Sequence, residues 1–134
     1  GSGRVGVMVE INCETDFVAR TEEFRHFAHE LALQIAANSP KYLDIADVPE
    51  KVLEDEKTLA AGKAKADGKP DAVIEKIVEG RLAKFYQEAC LLQQPYIRDE
   101  TLTVGDLFKQ IISSTRENVV IRRFARWELG AEAE

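Results

Sequence analysis

Between Arg4 and Asn12 the apolar residues Val5, Val7, Val9 and Ile11 take every second position. From Phe24 onward the spacing changes to three and four, through Phe27, Ala28, Leu31 and Ile35. A period of two puts alternate side chains on opposite faces of a strand, whereas spacings of three and four gather them along one side of a helix. A strand with one buried face, running almost directly into a helix with one buried stripe, must pack its apolar side on other elements. The fold class predicted is α+β, a small antiparallel sheet packed against several α-helices, and 134 residues support a single domain over 1–134.

The remaining elements follow from caps and breakers. Thr15 can cap a single helical turn through Asp16, Phe17, Val18 and Ala19, and Thr21 can cap the next helix, which ends near Asn38-Ser39-Pro40. Asp47-Val48-Pro49-Glu50 combines a cap, an early proline and a glutamate three residues after the aspartate, which predicts another helix start. Two helices, at about 49–67 and 70–88, should form an antiparallel hairpin across Asp67-Gly68-Lys69-Pro70. The first is thin in apolar residues, which predicts either a narrow seam of contact with the body or a helix that projects from it. Gln93-Gln94-Pro95-Tyr96-Ile97 reads as a connector, since proline disfavours helix in the residue before it. Thr103 and Asp106 offer a capping box ahead of Leu107, Phe108, Ile111 and Ile112.

The second major strand is predicted near 117–128, to pair with the one near 4–12. It is rich in β-branched and aromatic residues, with Val119, Val120 and Ile121 in succession. Three consecutive apolar residues place apolar side chains on both faces of a strand. Helices can cover one face; a second subunit laid sheet to sheet is the expectation for the other.

Composition narrows the function classes. The formal net charge is −6, which argues against general affinity for nucleic-acid phosphates, although Arg122, Arg123 and Arg126 form a local basic stripe. Cys13 and Cys90 belong to no metal-ligand spacing and no disulfide framework, and a reduced compartment is expected. No apolar run approaches the roughly 20 residues of a membrane span. Gly1-Ser2-Gly3 fits either a native turn or appended residues. His26 and His29, with Glu22 and Glu30 nearby, have a spacing that can bring two imidazoles together, but no recognisable motif supplies a third ligand. They read as surface histidines, with no metal and no cofactor expected.

Taken together, Val5-Gly6-Val7-Met8-Val9-Glu10-Ile11-Asn12-Cys13-Glu14-Thr15-Asp16-Phe17-Val18-Ala19-Arg20 resembles the signature of the elongation factor Ts family. The likeness continues through Glu75 to Leu82, Leu91 to Tyr96 and Glu117 to Phe124. The resemblance implies a guanine nucleotide exchange factor, not an enzyme, that binds the GDP form of the GTPase elongation factor Tu and promotes GDP release during translation elongation. It marks Thr15, Asp16, Phe17 and Val18 as partner-binding, with Asp16 and Phe17 inserting between helices of the GTPase and disturbing its magnesium and phosphate site. The family's short type implies a homodimer, for which Val119, Ile121 and Phe124 are the candidate interface residues. The cytoplasm of a bacterium, or the interior of a chloroplast or mitochondrion, is the implied compartment.

The sequence departs from the family in three places. Leu33-Gln34 stands where many members have Met-His; both are further partner-binding candidates, but Gln34 cannot become charged. Arg116 stands where glycine is usual, so a left-handed turn there would be strained or absent. The family's small ubiquitin-associated-like domain, basic linker and first strand have no counterpart in these residues, implying a fragment or processed form with an exposed sheet edge. The alternative function is a dimerisation or ribosome-associated accessory fragment without exchange activity of its own.

Overall fold

The computed structural model describes residues 3–131, so Gly1 and Ser2 of the glycine-rich start lie outside the described residues. Strand β1 (Val5–Asn12) leads through the short helix α1 (Asp16–Ala19) into α2 (Glu22–Asn38). After a 3-10 turn at Ile45–Asp47 come α3 (Glu50–Ala66) and α4 (Asp71–Ala89), then a second 3-10 turn at Leu91–Gln93. Strands β2 (Pro95–Tyr96) and β3 (Asp99–Thr103), helix α5 (Val104–Thr115) and strand β4 (Val120–Glu128) complete the order. The class is α+β, as the two periodicities require.

β1 and β4 pair antiparallel from Val5 opposite Glu128 to Asn12 opposite Val120, with a register shift between Glu10 and Ile11. Glu10 faces Arg123 and Ile11 faces Ile121, so Arg122 is the extra residue of a β-bulge. The bulge resets the alternation of β4, and Ile121 and Phe124, three apart, both reach the core. They meet Val7, Val9 and Ile11 of β1 and Phe27, Leu31 and Ile35 of α2. Arg126 ties the same face of the sheet to α2, its guanidinium donating to the Ala36 carbonyl at 3.1 and 3.3 Å.

The three candidate interface residues face inward in this chain. Val119 and Ile121 are 2% and 4% exposed and belong to the chain's own core, and Phe124 packs against it. The other face of the sheet carries Met8 and Trp127, both largely exposed, beside the half-buried Val120 and Ala125.

α3 and α4 form the expected hairpin, bridged by Arg81 and Glu56 at 3.3 Å. Asp47 does not cap α3, whose N-cap is Pro49 without a side-chain bond. Asp47 instead closes a capping box with Asp44 around the preceding 3-10 turn, because Val48 and Pro49 carry the chain away before α3 begins. The Thr103–Asp106 capping box is present in full. The predicted connector at 93–97 is half strand: β2 pairs with β3 in a second antiparallel sheet, and Tyr96 is buried. A two-residue strand is too short to show a period. Gly105 lets α5 start against the 3-10 turn before β2, since a Cβ there would lie 2.9 Å from the Leu92 carbonyl oxygen.

Candidate functional site

The Thr15-Asp16-Phe17-Val18 segment is a four-residue element whose first and last members hold it and whose middle members project. Thr15 is the N-cap of α1: its Oγ1 accepts from the Val18 amide at 3.3 Å, and its carbonyl accepts from the Ala19 amide. Val18 is 7% exposed and sits with Phe24 and Val119 in a small apolar cluster. The Val18 carbonyl also accepts from the hydroxyl of Thr21, the cap of α2, so α1 and α2 are locked at their junction. Of the four residues assigned to partner binding by resemblance, Thr15 and Val18 therefore hold the turn in place.

Asp16 and Phe17 are free to meet another molecule. Phe17 is 80% exposed, the most exposed of the chain's described large apolar side chains, and its neighbour Asp16 is also exposed. Phe17 is therefore not a core residue of this chain. An aromatic ring fixed at the tip of a rigid turn presents a large apolar surface to water, the arrangement expected of an anchor that enters a partner's pocket.

Beneath the turn lies a contact that sequence patterns do not reveal. Glu117, in the segment between α5 and β4, accepts the Glu14 and Thr15 amides on Oε1 at 2.9 and 3.1 Å and the Thr15 hydroxyl on Oε2 at 2.6 Å. Glu14 answers in the other direction, accepting the Asn118 amide at 2.6 Å. The Thr15 hydroxyl bond does most to hold the Glu117 carboxyl below its ordinary value, against desolvation, with the two backbone amides adding to it. Arg116, just before it, takes the left-handed conformation at φ 57° and donates its amide to the Ile112 carbonyl at 2.9 Å. The turn where glycine is usual is thus kept, with arginine in it.

Gln34 is elsewhere and inside. It is 1% exposed, and its amide nitrogen donates to Gln94 Oε1 at 3.1 Å and the Pro95 carbonyl at 3.0 Å. Its oxygen accepts from the Ile97 amide at 3.0 Å. Gln34 thereby pins the β2–β3 hairpin to α2, while Leu33 beside it is half-buried. Among the described residues no three His, Cys, Asp or Glu side chains gather closely enough to hold a metal ion. His26 lies 3.6 Å from Glu30, which is already paired with Arg98. No helix among the described residues is long and apolar enough to cross a membrane.

Comparison with known proteins agrees with the motif. The chain matches the family described as elongation factor TS over residues 1–131. It is 58% identical to elongation factor Ts of Caldanaerobacter subterraneus subsp. tengcongensis over 134 residues, all of this chain and 67% of the relative. It is 53% identical to elongation factor Ts of Coprothermobacter proteolyticus over 130 residues, 97% of this chain and 66% of that protein. The figures for Moorella thermoacetica are 54%, 97% and 64%. The chain thus spans about two thirds of the length of these relatives. Since the match runs from the start of the chain through β1, the projecting turn, the helical hairpin and β4, the chain belongs to the elongation factor Ts family.

Proposed function

We propose that this chain acts as a guanine nucleotide exchange factor in translation elongation, engaging the GDP form of elongation factor Tu through Asp16 and Phe17. The observation that carries this is the contrast within one turn: Phe17 stands in solvent while Thr15 and Val18, on either side of the projecting pair, are held by the body. Burying such a ring in a partner's apolar contact supplies about 1.5–3 kcal/mol, enough to compete with the packing of two helices against each other. Asp16 brings a carboxylate beside it, and a negative charge approaching a Mg²⁺-organised phosphate site competes for the metal and loosens the nucleotide. No covalent step is required. The coupling is reciprocal: the factor by which this chain weakens GDP binding is the factor by which bound GDP weakens its own.

Leu33 is proposed as a secondary contact and Gln34 as its internal brace, since Gln34 already spends its hydrogen bonds within the chain. A homodimer is proposed through the outer face of the β1–β4 sheet, around Met8 and Trp127. The compartment proposed for this work is a bacterial cytoplasm or an organelle interior.

The test is release of a fluorescent GDP analogue from elongation factor Tu, with this chain and with its Asp16→Ala and Phe17→Ala variants. Acceleration by the unsubstituted chain that both substitutions sharply reduce is the expected result. Equal rates with and without the chain would falsify the exchange function and leave the accessory-fragment alternative. Acceleration insensitive to both substitutions would move the site elsewhere.

A further inference from the structure

We infer that Glu117 is a positioning residue for nucleotide exchange, a carboxylate that sets the projecting turn in its working geometry; the inference rests on the exchange function proposed above. The β1–β4 ladder ends at the Asn12–Val120 pair. Beyond it the ladder pairing stops, and side-chain carboxylates link the two segments. Glu117 reaches across to the backbone of Glu14 and Thr15, and Glu14 reaches back to the backbone of Asn118. Each carboxylate accepts hydrogen bonds from amides that the ladder no longer serves, and the two reciprocal contacts fix the direction in which β1 enters the turn.

The contact also governs the turn's interior. A threonine hydroxyl has one hydrogen and two lone pairs. Thr15 donates that hydrogen to Glu117 Oε2, which leaves the lone pairs facing the Val18 amide they accept from. The order of contact is therefore Glu117 carboxylate, Thr15 hydroxyl, Val18 amide, and the residues enclosed between the last two are Asp16 and Phe17. Because the Glu117 carboxylate hydrogen-bonds to Glu14 and Thr15 and to neither of these two, it acts through Thr15. Its removal frees the turn to sample other orientations, so the fraction of molecules with Phe17 correctly presented falls, and apparent affinity falls with that fraction.

That yields a kinetic signature different from loss of the anchor itself. In the GDP-release assay, Glu117→Ala is expected to raise the half-saturating concentration of the chain about tenfold while leaving the saturating rate within about twofold of the unsubstituted chain. Phe17→Ala lowers the saturating rate instead. Glu117→Gln, which keeps an acceptor for the two amides but places an NH2 donor where Oε2 accepted the Thr15 hydroxyl, recovers only part of the affinity; Glu117→Asp, one methylene shorter, recovers none. Amide hydrogen exchange on the free chain supplies the second readout: Glu117→Ala should speed exchange at Val18 and Ala19, which Glu117 does not touch, and leave the Leu31 amide of α2 unchanged.

A half-saturating concentration unmoved by Glu117→Ala, or a fall confined to the saturating rate, overturns the positioning role. So do unchanged Val18 and Ala19 amides. Acceleration spreading to Leu31 makes Glu117 a global stability residue and overturns it as well. If the unsubstituted chain fails to release GDP, the exchange function is what has failed, and the amide measurement alone decides whether Glu117 sets the turn.

Discussion

Glu30, buried on α2, receives both hydrogen bonds of a single donor: Arg98 Nε lies 2.8 and 2.7 Å from its two carboxylate oxygens. Burial alone would push the Glu30 carboxyl up, but the Arg98 bond, the Tyr96 hydroxyl and the nearby positive charge outweigh it and hold the group below its ordinary 4.5. A carboxylate whose folded value is depressed contributes stability above the unfolded value, and that contribution is lost as pH falls through the folded one. Arg98→Ala should therefore lower the thermal midpoint by a few degrees at pH 7 and flatten its dependence on pH below about 4.5. Thermal melts followed by circular dichroism between pH 7 and pH 3 check both; an acid limb as steep as in the parent protein would contradict the assignment.

Gln34 secures the same β2–β3 hairpin a turn further along α2, and its three hydrogen bonds are all internal. Gln34→Leu keeps the volume but strips partners from the Gln94 side chain, the Pro95 carbonyl and the Ile97 amide. Buried groups left without partners cost about 1–3 kcal/mol each, reduced where water can enter, so a total near 3 kcal/mol is expected in urea unfolding. A loss under about 1 kcal/mol would mean that the hairpin relaxes to find other partners.

Arg116 closes α5 in the left-handed conformation, which favours glycine because it crowds a Cβ. Arg116→Gly removes that crowding at the expense of a more flexible unfolded chain, so the net gain should be about 0.5–1 kcal/mol. Chemical denaturation midpoints at constant slope measure it. No change would place the strain at this position below what entropy offsets.

How much of this was legible depended on range. The β1 alternation and the Phe24–Ile35 stripe are written within one element, and both elements formed where the periods put them. The caps at Thr15, Thr21 and Thr103 are local and were readable for the same reason. That Val119, Ile121 and Phe124 share one inward face was not legible, because Arg122 interrupts the alternation and one inserted residue makes a single face look like two. Asp47 misled because two aspartates competed for neighbouring turns. The exposure of Phe17 could not be phased from a four-residue helix, and only the family resemblance pointed to it. Glu117 was quoted only as part of that resemblance; its role needs a contact across 102 residues of sequence, which no period encodes.

The division of labour inside the projecting turn makes its two apolar residues separable by experiment. Phe17 touches little of the chain, so Phe17→Ala should leave folding stability within about 0.5 kcal/mol of the parent. If its ring is the anchor, the same truncation should slow stimulated GDP release about thirtyfold, the equivalent of about 2 kcal/mol for a central interface aromatic. Val18→Ala should do the reverse. It empties part of the cluster with Phe24 and Val119 and should cost about 1–2 kcal/mol of stability, while the ring it supports stays intact and exchange falls only modestly. Urea unfolding and GDP release on the same two variants give four numbers, and only the crossed pattern fits a held turn with a presented ring. If Phe17→Ala destabilised the fold as much as Val18→Ala, the ring would be a packing residue; if Val18→Ala abolished exchange at full stability, the partner would be reading Val18 directly.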